Sequence, residues 1–433
     1  ETSGAGDHWI GVVGAGPSGL SFAYQMARRG YRVTVYDARE KAGGMLRYGV
    51  PDYRLPQSVL DAEIARILDL GVELVLDTRI GKDISLDQLR SRHASLYLGI
   101  GAQEGRGLRI PGADGPGVFS GTGYLGRVNR SEPTGIGQSV IVVGGGNTAI
   151  DSARCARREG AKVTILYRRT RQEMPAVEHE IDDALAEGVE LIELAIPLAI
   201  VRDEADRPRT VEAQRMQLGE PDASGRRSPT PVDGSQFTLE ADTLITAISQ
   251  VPVLEGLEAL DHDGDWLVAD TAGAVGDTVM AGGDALGLGI AGNAIVQGRR
   301  AAESLHLRLS GQSADGAAPE RHEIGPDQVR FESKPTSSPA HKPEMPARER
   351  VEMGMAEVSG NITEREFLAE TERCFSCGSC FGCEQCFMYC TKGCFTRLEE
   401  PRPGMYFALN LDECQECGKC VEVCPCGFLE VRS

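Results

Sequence analysis

The chain has 433 residues, enough for two to three domains rather than one small core. Its net charge of −19 argues against nucleic acid or an anionic membrane as the main partner. No apolar run approaches the roughly 20 residues of a membrane-spanning helix, and the opening ETSGAGDHW has no secretory pattern.

From Trp9 to about Leu309, short β-branched runs alternate with helical patterns, the signature of α/β layers. One grammar appears twice: strand, glycine turn, helix, strand. The first copy runs HWIGVVGAGPSGL, SFAYQMARRG, YRVTVYD; the second runs QSVIVVGGGNTAID, SARCARREG, AKVTILY. This duplication implies two dinucleotide-binding (Rossmann-like) folds in one chain.

In the first copy Gly14, Gly16 and Gly19 follow a strand and open a helix, the context in which G-x-G-x-x-G holds a dinucleotide. The first glycine permits a tight turn, the second admits a pyrophosphate, and the third lets helix pack on strand. The helix N-terminus offers N–H groups to the phosphates. Asp37 ends the next strand about 20 residues on, where a carboxylate meets ribose hydroxyls. In the second copy Gly144 and Gly146 precede Asn147, and Ala149 stands at the third glycine position. Its second strand ends in Tyr167-Arg168-Arg169-Thr170-Arg171. A guanidinium there suits a 2′-phosphate and favours NADP over NAD. The alternative is a solvated loop, or pairing with Glu173 and Glu178. An acidic-ended fold followed by an arginine-ended one fits FAD first and a nicotinamide nucleotide second.

Further on, a strand ends in Gly283-Asp284 and a helix begins near Ala291-Gly292-Asn293. Asp284 is placed to accept from the hydroxylated side chain of a flavin, and the helix start to face its ring. From about Ser310 to Ala347 Pro, Ser and Gly dominate and periodicity disappears, as in a linker. A short helical stretch follows, with Ile362, Phe367 and Leu368 at helical spacing.

The wording EKAGGMLRYGVPDYRLP, then VGGGNTAID and YRRTRQEMPA, resembles the FAD- and NAD(P)-dependent oxidoreductases of the glutamate synthase small subunit. The large subunit of the NADH-dependent ferredoxin:NADP oxidoreductase belongs to the same group. The cysteine-rich tail is similar to members with an appended ferredoxin domain, such as the iron–sulfur flavoproteins associated with dissimilatory sulfite reductase. The resemblance implies that Gly14, Gly16, Gly19 and Asp37 bind FAD, with Gly44, Arg47, Gly283, Asp284 and Asn293. It implies that Gly144, Gly146, Asn147, Arg168 and Arg169 bind the pyridine nucleotide. It also implies a split FAD domain, 1–128 with 275–309, around an NAD(P) domain at 129–274. A linker with a short helix would span 310–372 and a ferredoxin domain 373–433. Many relatives carry an iron–sulfur domain ahead of the FAD turn, whereas eight residues precede Trp9 here. Another subunit supplying that route, or a longer parent chain, would account for the difference. Hydride passes between cofactors in this family, so no catalytic side chain is assigned. Of 13 cysteines only Cys155 lies outside the tail, leaving no Cys-x-x-Cys for a redox disulfide, and it reads as core.

The run Cys414, Cys417, Cys420, Cys424-Pro425 matches the bacterial ferredoxin spacing C-x2-C-x2-C-x3-C-P. In such proteins the fourth cysteine ligates the other cluster, so a second run is required. Within CFSCGSCFGCEQCFMYC one set fits: Cys380, Cys383, Cys386 and Cys390, with Thr391 in place of proline. Cys380, Cys383, Cys386 and Cys424 would hold one 4Fe–4S cluster, and Cys414, Cys417, Cys420 and Cys390 the other. Four-cysteine zinc sites are the competing reading. Cys374, Cys377, Cys394 and Cys426 remain, as packed small residues or as a third metal site. The chain therefore reads as a cytoplasmic subunit carrying electrons between NAD(P)H, FAD and two clusters, to or from a partner redox protein in a hetero-oligomer. The alternative is a non-catalytic relay or docking subunit with a vestigial nucleotide site.

Overall fold

The computed structural model describes residues 8–221, 225–311, 329, 336–374, 379–402 and 404–429. The chain forms two compact units, Glu1–Asp315 with Met345–Val358, and Gly316–Glu344 with Ser359–Ser433. Among the described residues no helix is long and apolar enough to cross a membrane.

The first unit is built on two five-stranded parallel sheets of one plan. In the first, Trp9–Val13 lies between Arg32–Tyr36 and Ser95–Leu98, with Glu73–Val75 and Val279–Ala281 at the edges. In the second, Ser139–Val143 lies between Lys162–Leu166 and Thr243–Thr246, with Glu190–Ile192 and Val118–Ser120 at the edges. Strands such as WIGVV and SVIVV are almost wholly apolar because a parallel sheet is covered on both faces. Helices Pro17–Ala27 and Asn147–Arg158 make the crossovers that parallel neighbours need.

The first sheet draws Trp9–Val13 and Val279–Ala281 from opposite ends of the unit, with the second sheet's later strands between them in the chain. Val118–Ser120, which the sequence reading assigned to the first domain, pairs with Thr243–Thr246 and so lies with the second sheet. A three-stranded antiparallel sheet, Ala195–Arg202, Pro208–Pro221 and Arg227–Glu240, adds a long hairpin to the second half.

Part of the expected linker, residues 312–328 and 330–335, lies outside the described residues. Within the same span, Met345–Val358 belongs to the first unit instead. Val358 donates its N–H to the Tyr53 carbonyl at 3.2 Å and joins the core around Tyr53, Tyr124 and Ile150.

That core contains an ionic network. Helix Asn147–Arg158 buries Asp151, Arg154 and Arg158 beside its apolar residues. Arg154 bonds Glu187 at 2.6 Å and Asp183 at 3.2 Å, and also pairs with Glu180. Arg158 reaches Glu187 at 2.9 Å, and Arg350, from the returning segment, reaches Asp183 at 2.7 Å. Arg54 crosses from the first half to Asp151 at 2.8 Å and Glu180 at 2.9 Å. Tyr53 lies under two guanidiniums, 3.9 Å from Arg158 and 4.8 Å from Arg154. Four arginines and four carboxylates thus balance in a nearly dry space, where each charge is tolerable only because its partners are present.

In the second unit, Thr363 caps helix Glu364–Glu372 in a reciprocal box with Glu366. A hairpin of Phe395–Arg402 and Met405–Leu409 separates two short helices, Gln385–Tyr389 and Lys419–Val423.

Glu187→Ala leaves Arg154 and Arg158 buried without their shared carboxylate, and should cost about 3–5 kcal/mol of stability in urea unfolding. A loss below about 1 kcal/mol, the range of surface pairs, would show that the network does not hold this helix.

Candidate functional sites

The first glycine turn is shaped by close contacts. Gly14 takes φ +101°, and a Cβ there would lie 2.3 Å from the Gly99 carbonyl oxygen. At Gly19 a Cβ would lie 1.9 Å from the Gly14 oxygen, so only glycine lets helix Pro17–Ala27 approach its strand. Gly16 differs: its nearest neighbour beyond the chain is Gly44 Cα, at 3.7 Å. Protein atoms do not fill the space beside Gly16, which therefore suits a phosphate. No side chain caps the helix at Gly16, so the N–H groups that follow Pro17 in the first turn are available to another acceptor. Asp37 is buried and accepts from Ala15 N–H at 2.6 Å and Arg39 N–H at 2.8 Å. Burial raises its pKa and these two bonds oppose the rise. Each carboxylate oxygen retains a lone pair for a ribose hydroxyl.

Gly14 and Asp37 share the wall of a cavity of about 460 Å³ with Arg39, Tyr48, Arg79 and Arg130. The three arginines were not anticipated; Arg39, two residues beyond Asp37, is the one its position in the motif could have suggested. Gly44 lies against Gly16, where a Cβ would come within 2.7 Å of its Cα. Arg47 has another use. It is buried away from the cavity wall, donating to the Ala42 carbonyl and to Gln57 at 2.7 Å, and pairing with Asp61. It staples the glycine loop to helix Gln57–Leu68. Gly283, at φ +74°, has its N–H on Gln297 at 2.6 Å. Asp284 accepts from Gly289 N–H at 3.1 Å, and burial raises its carboxyl pKa. Asn293 stands exposed in the first turn of helix Ala291–Leu309. None of these last three lines the Asp37 cavity.

The second turn repeats the design. Gly144 takes φ +146°, and a Cβ on it would meet the Ala247 oxygen at 2.2 Å, whereas Gly146 has nothing closer than Pro175 at 4.0 Å. Gly144, Gly146, Arg168 and Arg169 line one cavity of about 840 Å³. Arg168 is exposed; Arg169 is buried, its Nε donating to the Arg227 carbonyl at 2.7 Å. Asn147 turns its side-chain oxygen to Val177 N–H at 3.0 Å and serves the turn itself. Glu173 is taken by Thr170, and Arg171 by Asp182 at 2.5 Å. Arg226, 58 residues beyond Arg168, lines the same cavity and was missed by motif reading. Cys155 is fully buried in the core, where desolvation holds its thiol well above the usual range.

In the second unit the two cysteine runs share one backbone. Cys380, Cys383, Cys386 and Cys390 each stand 34 residues before Cys414, Cys417, Cys420 and Cys424. At the same offset, left-handed residues recur in pairs: Gly382 with Glu416, Glu384 with Gly418, Gly393 with Gly427. Helix Gln385–Tyr389 likewise matches Lys419–Val423. Cys386 lies near Cys380, Cys383 and Cys424, and Cys420 near Cys417 and Cys390. Among the described residues no three ligating side chains converge as for a single ion. Cys380, Cys383, Cys386 and Cys424 instead ring a cavity of about 220 Å³ with Phe395, Phe407 and Phe428. Of the surplus cysteines, Cys394 sits beside Cys390 and Cys414, and Cys426 lies 3.7 Å from Cys424. They are divided between the two sets and fall outside the repeat. Cys374 is exposed, and Cys377 lies outside the described residues.

A family profile described as pyridine nucleotide-disulphide oxidoreductase matches residues 9–298, and one described as 4Fe-4S binding domain matches 407–430. The beta subunit of NADPH-Fe(3+) oxidoreductase from Geobacter sulfurreducens is 47% identical over 251 residues, covering 57% of this chain and 37% of that one. The glutamate synthase (NADPH) small chain of Azospirillum brasilense is 35% identical over 324 residues, 69% of this chain and 66% of that one. FprA of Mycobacterium tuberculosis, solved in complex with NADPH, shares the fold with a TM-score of 0.61 at 18% identity, over 74% of this chain and 87% of that one. The chain belongs to the pyridine nucleotide-disulphide oxidoreductase family, whose cofactors are FAD and a nicotinamide nucleotide, and it carries a 4Fe–4S binding domain toward its C-terminus. It spans well under half the length of the G. sulfurreducens subunit.

Proposed function

We propose that this chain is an electron-transfer subunit working between NADPH, FAD and two 4Fe–4S clusters, to or from a partner redox protein. The observation that carries the two-cluster reading is the 34-residue repeat of ligand cysteines, left-handed turns and helices. Cys380, Cys383, Cys386 and Cys424 would hold one cluster, and Cys390, Cys414, Cys417 and Cys420 the other. Gly14, Gly16, Gly19, Gly44 and Asp37 would hold the adenosine and pyrophosphate of FAD, with Gly283, Asp284 and Asn293 toward its flavin end. Gly144, Gly146, Arg168 and Arg169 would hold the pyridine nucleotide. Bound there, FAD accepts a hydride and releases electrons singly, the conversion that iron–sulfur acceptors need. The protein's part is to hold: glycines admit phosphates, arginines fix the nucleotide, and thiolates fix the clusters.

Relatives named as NADPH-dependent enzymes support the choice of NADP, and their names as beta subunit and small chain support a hetero-oligomer. The same names weigh against a relay subunit with a vestigial nucleotide site. A cytoplasmic setting goes with this reading, because the ligand thiols must stay reduced.

Anaerobic NADPH should bleach both flavin and iron–sulfur absorbance of the purified chain; clusters that never respond would refute the electron route. Iron should amount to about eight atoms per chain, and Cys383→Ser or Cys417→Ser should each remove about four. About twelve irons would restore a third site. Gly16→Ala should leave stability within about 1 kcal/mol, since nothing in the protein excludes the methyl, yet strip the flavin. Gly19→Ala, driven into the Gly14 carbonyl, should cost about 1–3 kcal/mol in urea unfolding. Full flavin content in Gly16→Ala would move the pyrophosphate elsewhere.

A further inference from the structure

The nucleotide cavity carries more positive charge than the strand-end arginines account for. Its wall contains Arg106, Arg168, Arg169 and Arg226 and, among the described residues that line it, no aspartate or glutamate. This is unusual in a chain whose net charge is −19. The cavity is electropositive by construction, as a site for a polyanion should be.

Arg226 reaches that wall from the end of the long hairpin, through a fixed chain of bonds. Buried Arg169 donates to the Arg227 carbonyl at 2.7 Å, tying the hairpin end to the end of strand Lys162–Leu166. Arg227 closes the hairpin behind it, donating to the Gly219 and Leu218 carbonyls, each at 3.1 Å. Arg226 is thereby referenced to Arg168 and Arg169, and all three are charged neighbours of Tyr167. Tyr167 in turn lies under Gly145, where a Cβ would meet its ring at 2.5 Å. All three arginines line this cavity near the strand end, which is where this fold presents the adenosine ribose and not the pyrophosphate.

We propose that Arg226 is a specificity-determining residue that, with Arg168 and Arg169, binds the 2′-phosphate of NADP. The proposal rests on reading this cavity as the pyridine-nucleotide site. A planar guanidinium supplied by a separate element adds a second direction of approach to a phosphate with three acceptor oxygens, which a strand end alone does not give.

The test is equilibrium binding to the purified full chain, with adenosine 2′,5′-bisphosphate and 5′-AMP as probes. The native chain should prefer the bisphosphate by at least about tenfold. Arg226→Ala should weaken the bisphosphate by about tenfold and leave 5′-AMP unchanged, while Arg226→Lys recovers part of the loss. Arg209→Ala, exposed on the same hairpin, should change neither. A native chain that binds both probes equally would overturn the 2′-phosphate proposal alone, and one that binds neither would overturn the cavity reading with it. A preserved preference in Arg226→Ala would overturn the role of Arg226 alone. Equal loss of both probes would do the same, since it signals a distorted hairpin and not a phosphate contact; thermal unfolding of the variants separates the two.

Discussion

The buried carboxylate of Glu187 is the point on which the nucleotide half is hung. It binds Arg154 and Arg158, both on the helix that the Gly144–Gly146 loop opens. Through that helix the charge of one side chain helps fix where the first-turn N–H groups point. The same network reaches outward in two directions: Arg54 joins it from the first half, and Arg350 from the segment that returns after residue 344. A hydrophobic interface could hold these pieces at comparable strength, but it would tolerate small rotations. Paired charges in a dry space do not, because any rotation that parts one pair leaves a charge without water.

Given that anchoring, the two halves of the first unit differ chiefly at the end of their second strands. Both place one glycine against a carbonyl oxygen and leave the next facing open space, so both make room for a pyrophosphate by the same steric means. What distinguishes them is chemistry about 20 residues further on. Asp37 is a buried acceptor already satisfied by two backbone N–H groups. Arg168 and Arg169 are donors of fixed charge. An acceptor suits hydroxyls and a donor suits a phosphate, and the proposed assignment of two nucleotides to one duplicated backbone rests on that difference.

How much of this the sequence disclosed follows from the range of the interactions concerned. Glycine turns, strand periodicity and cysteine spacing are local, and the elements they mark appear where expected. Arg154 and Arg158 sit in a helix whose SARCARREG wording looks like a solvated face; their acidic partners lie about 30 residues away on another helix. Arg350 is farther still, inside a stretch whose composition resembles a linker, and its pairing with Asp183 cannot be seen from either segment alone. Arg226 and Tyr53 belong to the same class. Arg47 adds a use that family wording does not disclose: it ties the glycine loop to helix Gln57–Leu68.

The cysteine unit turns on a similar asymmetry between what is local and what is shared. Each run folds into the same turns and helix by itself, as the 34-residue recurrence of left-handed residues requires. Across the repeat, Cys386 neighbours Cys424 and Cys420 neighbours Cys390. Under the proposed assignment, exchange of the fourth ligand would couple the two sites, so neither run could be altered as an independent part. Cys394 and Cys426 are at positions the repeat does not duplicate: 34 residues from them stand Phe428 and Lys392, which cannot ligate iron through sulfur. They can serve as small side chains filling space beside the two sets.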